Sequence, residues 1–241
     1  MTLAFVHARA ETLQLLRYPA YVVPTILFPA LLLLAVGSHI EQAEGRTLAG
    51  FAATAVLGIA FFQFGVGIAN TRTLPWERYV RTLATSPHTR LAGRVLSALS
   101  FALAAALLVG VVGALIGLRI EAWRYAALGI ALLVGAIPFA LFGIALGYWL
   151  SPKTALPVAN LLFFPLALAG ALWGKPDEVP RSVDVASQIL PTRSWMEILE
   201  ASAGSAAGVP LHHVAALVAW TVAFGALAWW GYRRDEGERF T

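Results

Sequence analysis

Six apolar runs separated by polar segments cover most of the chain, and none of them contains Asp, Glu, Lys, Arg or His. A helix needs about 20 apolar residues to cross roughly 30 Å of hydrocarbon, and each run is near that length or longer. Because an unpaired peptide group is costly in lipid, such runs are expected to be helical. The pattern predicts an all-α polytopic membrane protein with six transmembrane helices, at about residues 19–36, 48–69, 96–118, 125–150, 155–173 and 214–232.

The rest of the sequence leaves little room for a second domain. The longest stretch between runs, residues 174–213, has about 40 residues, the lower limit for an independently folding unit. Charged residues make up 12% of the chain, against about 25% in soluble proteins. A single transmembrane domain over residues 1–241 is therefore expected. The net charge of +4 does not indicate a nucleic-acid partner, because the basic residues lie in loops beside the apolar runs.

The Lys and Arg residues divide unevenly between the two sides of the predicted bundle. Eleven lie in the termini and the loops on the same side, and six lie on the other side. Cytoplasmic loops carry the excess of Lys and Arg in membrane proteins. We therefore expect a multi-pass protein of the cell (cytoplasmic) membrane with both termini cytoplasmic and residues 174–213 forming an external segment.

The N-terminal segment, residues 1–18, has a weak amphipathic pattern. Leu3, Val6, Ala10 and Leu13 recur near helical spacing, with polar residues beside them. This favours an interfacial helix lying on the lipid of the inner leaflet. A frayed cytoplasmic tail is the alternative, because short helices are marginal without packing.

A second amphipathic segment lies between the second and third runs, bounded by Pro75 and Pro87. Its apolar side chains fall at i, i+3, i+4 and i+7, and its charged side chains lie off that stripe. The pattern predicts a short cytoplasmic helix that inserts into a groove on a soluble partner; a solvated loop with its Trp at the membrane interface is the alternative. The candidate coupling residues are Trp76, Glu77, Arg78, Tyr79, Val80 and Leu83.

The fifth run and the segment after it also depart from plain hydrophobic sequence. Pro157 and Pro165 are expected to kink or break the fifth span. Beyond it, two weak apolar stripes predict short external helices that dip into the outer leaflet, and a flexible linker is the alternative. The stripes are Val183, Ala186, Ile189 and Leu190, then Trp195, Ile198 and Leu199, followed by Gly204.

Ionisable side chains are absent from all six runs, and this absence bears on function. Ion-coupled transporters and membrane enzymes need such groups at depth, so neither class is favoured. The two lysines, Lys153 and Lys175, do not belong to a phosphate-binding Gly-x-x-x-x-Gly-Lys-Ser/Thr loop. The chain is therefore expected to bind no cofactor itself, and energy for uphill transport has to come from another polypeptide.

Aromatic and polar side chains are most concentrated on the second and fifth runs. An apolar cavity with a few polar groups suits a lipophilic ligand, and ordinary interhelical hydrogen bonding is the alternative for the polar groups. The candidate pathway residues are Phe61, Phe62, Gln63, Phe64, Asn160, Phe163 and Phe164. Two Gly-x-x-x-Gly pairs, Gly113 with Gly117 and Gly143 with Gly147, predict close helix packing within the chain.

Several short motifs occur in an order that resembles a known family. They are Arg17-Tyr18-Pro19 before a first span with Pro29; Glu77 followed by Leu83, Ser86-Pro87 and Arg90; and Phe164-Pro165 with Gly170, followed by Pro180 and Ile189-Leu190-Pro191. In these the sequence resembles the membrane-spanning subunits of ATP-binding-cassette exporters of the type 2 permease family, which includes antibiotic and polyketide exporters. The family often has a Gly two or three positions after the Glu, where this chain has Tyr79 and Val80.

The resemblance implies six spans, an interfacial N-terminal helix, a coupling helix that docks on the ATPase and external helices between spans five and six. It implies a non-catalytic permease subunit that dimerises with itself or a related chain. Two ATPase subunits carrying ATP and Mg would energise export of a hydrophobic or amphipathic compound such as a drug, lipid or polyketide. The alternative is a non-transporting membrane scaffold or assembly subunit that tethers a soluble partner.

Overall fold

Helices form almost all of the computed structural model, which describes residues 3–17, 19–37, 44–75, 87–174, 180–206, 208 and 211–237. There is no β-strand among these residues, so the predicted all-α fold class is confirmed. The helices are α1 (Leu3–Leu16), α2 (Pro19–Val36), α3 (Glu44–Gly58), a π-helix (Ile59–Val66), α4 (Gly67–Thr71), α5 (Pro87–Leu115), α6 (Ala122–Trp149), α7 (Pro152–Ala169), α8 (Arg181–Ser187), α9 (Pro191–Ala203) and α10 (Leu211–Gly237).

Five segments of the described residues are long and apolar enough to cross a membrane. They are Glu44–Thr71, His88–Leu115, Ala122–Trp149, Pro152–Ala169 and Leu211–Asp235, and they coincide with the second to sixth predicted runs. The first predicted run is helical as α2, but the apolar stretch found there, Ile26–Ala35, is shorter than a span. A multi-pass membrane protein is supported, and the sixth crossing stays a prediction.

The second span, formed by α3, the π-helix and α4, is the central helix of the bundle. In its most apolar window 89% of the residues are buried, against 22% in α7 and in α10. It packs against α2, α5, α6, α7 and α9. Its α3 part, with the sequence EGRTLAGFAATAVLG, is rich in Gly and Ala, which let neighbouring helices come close.

Glycines mark the closest helix contacts. A Cβ added at Gly143 of α6 would overlap the carbonyl oxygen of Ala60, and one at Gly147 would press on Ile68, so this pair packs within the chain as predicted. Gly113 of α5 likewise lies against the side chain of Leu48. Its predicted companion Gly117 does not pack: it lies two residues beyond the end of α5 with a φ of +94°, a conformation that suits glycine.

The prolines of the fifth span do not break it. Both Pro157 and Pro165 lie inside α7, which stays helical to Ala169. The helix begins with a capping box between Ser151 and Thr154, which satisfies backbone groups at its first turn. The predicted break therefore does not occur, and the alternative of a kink stays a prediction.

The segment between α7 and α10 contains the short helices α8 and α9. α9 ends at Gly204, whose φ is +82°. The predicted stripe of Trp195 and Leu199 was expected to rest on lipid, but both side chains are fully buried in the bundle. Trp195 packs over Gly135 of α6 and donates a hydrogen bond from Nε1 to the carbonyl of Ala131 at 3.2 Å. The stripe thus faces protein because α6 offers a glycine-lined recess for the indole.

Candidate functional site

The candidate pathway residues of the second span lie in its π-helix. The change to π geometry covers Ile59–Val66, which includes Phe61, Phe62, Gln63 and Phe64. π-helical turns are rare, weaker than α-helical turns and frequent at functional sites. The turn lies opposite Gly143, where an added Cβ would overlap the carbonyl oxygen of Ala60. No sequence signal predicts it, because the segment reads as ordinary apolar helix.

Phe163 of α7 brings four of the predicted phenylalanines together. Its ring centroid lies 6.4 Å from Phe61, 5.2 Å from Phe62 and 5.2 Å from Phe164. Edge contacts of this kind add to the energy of simple burial. The concentration of aromatic residues on the two runs predicted these phenylalanines but not their mutual contact, which depends on how α7 lies against the second span.

The aromatic row continues into helices that the sequence did not single out. Phe61 meets Phe142 of α6 at 5.4 Å, and Phe142 stacks on Phe224 of α10 at 4.3 Å. At the other end, Phe163 and Phe164 both contact Trp173. A row of rings therefore runs from α7 across the second span to α10. Phe64 is buried in a different cluster, with Ile68 and Ile144, and does not belong to this row.

The two predicted polar groups differ in their surroundings. Asn160 donates a hydrogen bond from Nδ2 to the carbonyl of Leu156 in its own helix at 3.0 Å. Gln63 is 2% exposed, and neither Nε2 nor Oε1 of its side-chain amide has a hydrogen-bond partner among the residues that the structure describes. Because buried polar groups are nearly always paired, Gln63 is the most unusual side chain of the site.

Only part of the site reaches the surface of the chain. Phe61, Gln63 and Phe64 are buried, and Phe62 is partly buried. By contrast, 52% of Phe164 is exposed, beside Leu161 and Leu168 on the outer face of α7. The face of the site that the chain exposes therefore belongs mainly to α7.

The candidate coupling residues, Trp76 to Leu83, lie outside the described residues, but the helices that flank them are anchored by charged side chains. Arg72 donates to the Asp235 carboxylate at 2.6 Å, to the carbonyl of Tyr148 at 2.9 Å and to that of Leu150 at 3.1 Å. The second span is thereby tied to α6 and α10 at the end where residues 76–86 begin. Sequence reasoning missed this anchor because Arg72 and Asp235 are 163 positions apart.

Beyond residues 76–86, Arg94 of α5 makes a similar link. It donates to the hydroxyl of Tyr148 at 2.9 Å and forms an ion pair with Glu11 of α1 at 3.6 Å. The hydroxyls of Thr12 and Ser97 also meet at 2.9 Å. The polar side of α1 therefore faces α5, while Phe5, Val6 and Leu13 are exposed.

The opposite end of the bundle contains a buried ion pair between Arg46 and Glu200. Arg46 also donates to the carbonyls of Ala171 and Gly174, at 3.2 and 2.8 Å. Burial raises the pKa of the Glu200 carboxyl, and the charge of Arg46 opposes that shift. One guanidinium thus joins the second span, the end of α7 and α9.

A cleft of about 450 Å³ opens between α6, α9 and α10. Its lining is almost entirely apolar, and the hydroxyls of Ser202 and Thr221 donate to carbonyls of their own helices. The cleft therefore offers no free hydroxyl donor that would orient a ligand. The cleft was not predicted, since its walls come from distant parts of the sequence.

Comparison with known proteins identifies the type of bundle. The model of the family described as "ABC-2 type transporter" matches residues 2–202. The chain is also 23% identical over 150 residues to "Putative transport permease YvfS" of Bacillus subtilis (strain 168). That alignment covers 62% of this chain and 61% of YvfS, so it spans less than two thirds of the relative.

Proposed function

Because the chain belongs to the ABC-2 type transporter family, we propose that it is the permease subunit of an ATP-driven exporter. Two ATPase subunits, which carry ATP and Mg, energise it from the cytoplasm. The exported compound is hydrophobic or amphipathic, and the permease works as a dimer with itself or a related chain. The observation that carries the proposal is the family match, because it extends over both the aromatic site and residues 76–86.

The translocation pathway runs beside the row of aromatic rings between the second span and α7. An apolar surface of several Phe side chains with few polar groups suits a lipophilic ligand. Asn160 provides a polar group along it, and Gln63, which is buried in the structure, is the second polar residue assigned to it. The exposed face of α7, with Leu161, Phe164 and Leu168, supports a two-fold contact that would enclose this surface between two chains.

Coupling to the ATPase is assigned to Trp76, Glu77, Arg78, Tyr79, Val80 and Leu83. Their apolar stripe suits insertion into a groove, as other amphipathic helices do. The anchors on either side support this role: Arg72 holds the helix before the segment and Arg94 the helix after it. A movement of the segment would be transmitted to α1, α6 and α10 through these contacts.

The orientation follows from the same assignment. With residues 76–86 on the cytoplasmic side, both termini are cytoplasmic and α8 and α9 are external. The exposed apolar side chains of α1, Phe5, Val6 and Leu13, fit a helix lying in the inner leaflet.

Affinity purification from membranes in mild detergent tests the proposal. A tagged permease is expected to retain a cassette ATPase, and intact-complex mass measurement should give two permease chains with two ATPase chains. Retention of a larger assembly without any ATPase would contradict it and favour the scaffold alternative. As a matched control, the same tag on an unrelated six-span protein should retain no cassette ATPase.

A further inference from the structure

Two independent features coincide at one point of the second span. The helix widens to π geometry over Ile59–Val66, and the amide of Gln63 in the middle of that segment is buried without a partner among the described residues. Both features raise the free energy of this conformation, since π hydrogen bonds are poorer and an unpaired buried amide loses its hydration. Other conformations of this segment, which differ from the observed one only locally, are therefore close to it in free energy.

The local change available to a π-helix is movement of its wide turn along the helix axis. A wide turn holds one residue more than an α-helical turn, and the helix on each side of it is regular. When the wide turn moves past a residue, that residue rotates about the helix axis by about 100°. It then takes the angular position that its neighbour in the sequence held before. The ends of the helix need not rotate, so the anchors at Arg46 and Arg72 can stay in place.

The neighbouring helices make such a movement feasible. The π-helix faces Gly143 and Gly147 of α6, and it contains a glycine of its own, Gly65. Glycine surfaces present little relief, so a helix can turn against them with fewer clashes than against branched side chains. On the side of α7, Phe62 now lies against Phe163 at 5.2 Å.

We propose that the wide turn of the second span is mobile and that Gln63 alternates between its buried position and the position that Phe62 holds against Phe163. The inference rests on the proposed transport function in one respect: ATP-driven movement would enter through α4, which directly follows the π-helix and ends at the Arg72 anchor. In the second position the amide of Gln63 lies on the pathway surface, where a polar group of a passing ligand can pair with it.

Crosslinking within one chain tests this exchange. The sequence contains no cysteine, so the double variants F62C/F163C, Q63C/F163C and F64C/F163C each carry only the two introduced thiols. The shortest bis-methanethiosulfonate reagent is applied to the permease alone in lipid nanodiscs and to its complex with the ATPase and ATP. F62C/F163C is the positive control, and F64C/F163C is the matched negative control because Phe64 belongs to a different cluster.

The expected result is rapid crosslinking of F62C/F163C, slower crosslinking of Q63C/F163C and none of F64C/F163C. The Q63C/F163C rate should rise about tenfold or more with ATPase and ATP, as expected if nucleotide shifts a minor population. A Q63C/F163C yield equal to that of F64C/F163C under every condition would overturn the inference, as would failure of F62C/F163C. Crosslinking of Q63C/F163C in the permease alone, with no response to ATP, would keep the mobile turn and contradict its proposed energy source.

Discussion

At the scale of single residues, the side chain of Arg46 connects three elements: the second span, the end of α7 and α9. The sequence did not predict these contacts. Its guanidinium pairs with the buried carboxylate of Glu200 and binds two carbonyls at the end of α7. Removing one partner of a buried ion pair leaves the other charge without compensation. The pair therefore matters for the integrity of the fold at this end of the bundle rather than for ligand chemistry.

The variant R46A should lower the free energy of unfolding by about 3–5 kcal/mol, because Glu200 stays buried and unpaired. Thermal unfolding of the purified protein in detergent measures this change. The control is R119A on the same side of the bundle, where the side chain is exposed and little change is expected. Equal midpoints for R46A and the wild type would show that the ion pair contributes nothing.

The raised pKa of Glu200 predicts a pH dependence. A carboxyl whose pKa is higher in the folded than in the unfolded state binds its proton more tightly when folded. Its contribution to stability is therefore complete below the ordinary pKa of 4.5 and is lost as the pH rises through the raised value. The unfolding temperature should therefore fall as the pH rises through the raised pKa of Glu200. The variant E200Q should lack this part of the pH dependence. A wild-type slope unchanged by E200Q would contradict the assignment.

At the scale of elements, the contact between α6 and the second span depends on small residues. G143A would place a methyl group on the carbonyl of Ala60, and overpacking of this kind lowers stability by about 1–3 kcal/mol. In the same helix, Gly129 has no atom within 4 Å of the position that a Cβ would take. G129A should therefore be neutral or stabilising by up to about 1 kcal/mol. Thermal midpoints of the two variants test this, and equal losses would show that the helices do not approach at Gly143.

The elements also show what sequence can and cannot predict here. The five long spans follow from apolar length alone, since lipid leaves the backbone no alternative to the helix. The end of α9 at Gly204 follows from the left-handed conformation that glycine accepts. The π-helix could not be predicted, because its residues have ordinary helical composition.

The candidate site was predictable in part for the same reason. Composition singled out Phe61, Phe62, Phe163 and Phe164, which do meet. It gave no indication that Phe64 points to another cluster, because a π turn changes the angular spacing of residues. It also missed Phe142 and Trp173, whose contacts depend on the positions of whole helices.

At the scale of the whole molecule, the charge asymmetry between the two sides predicts how the bundle sits in the membrane. A cysteine at exposed Ala206 should react with an impermeant thiol reagent added to intact cells. One at Thr85 should react only after the cells are opened, and one at Leu199 should stay unreactive because that side chain is buried within the bundle. Labelling from outside at Thr85 and not at Ala206 would show the opposite topology. Residues 76–86 would then lie on the wrong side of the membrane for an ATPase.

The central claim is that an ATPase drives this bundle through residues 76–83, and retention of the ATPase by the W76A permease tests it most directly. Loss of a buried aromatic anchor weakens binding by about 2 kcal/mol or more, which is roughly a 30-fold loss of affinity. We therefore predict that the wild-type permease purifies with a cassette ATPase, and that W76A is inserted and folded but retains little of it. Equal amounts of ATPase on both proteins, or none on the wild type, would contradict the account.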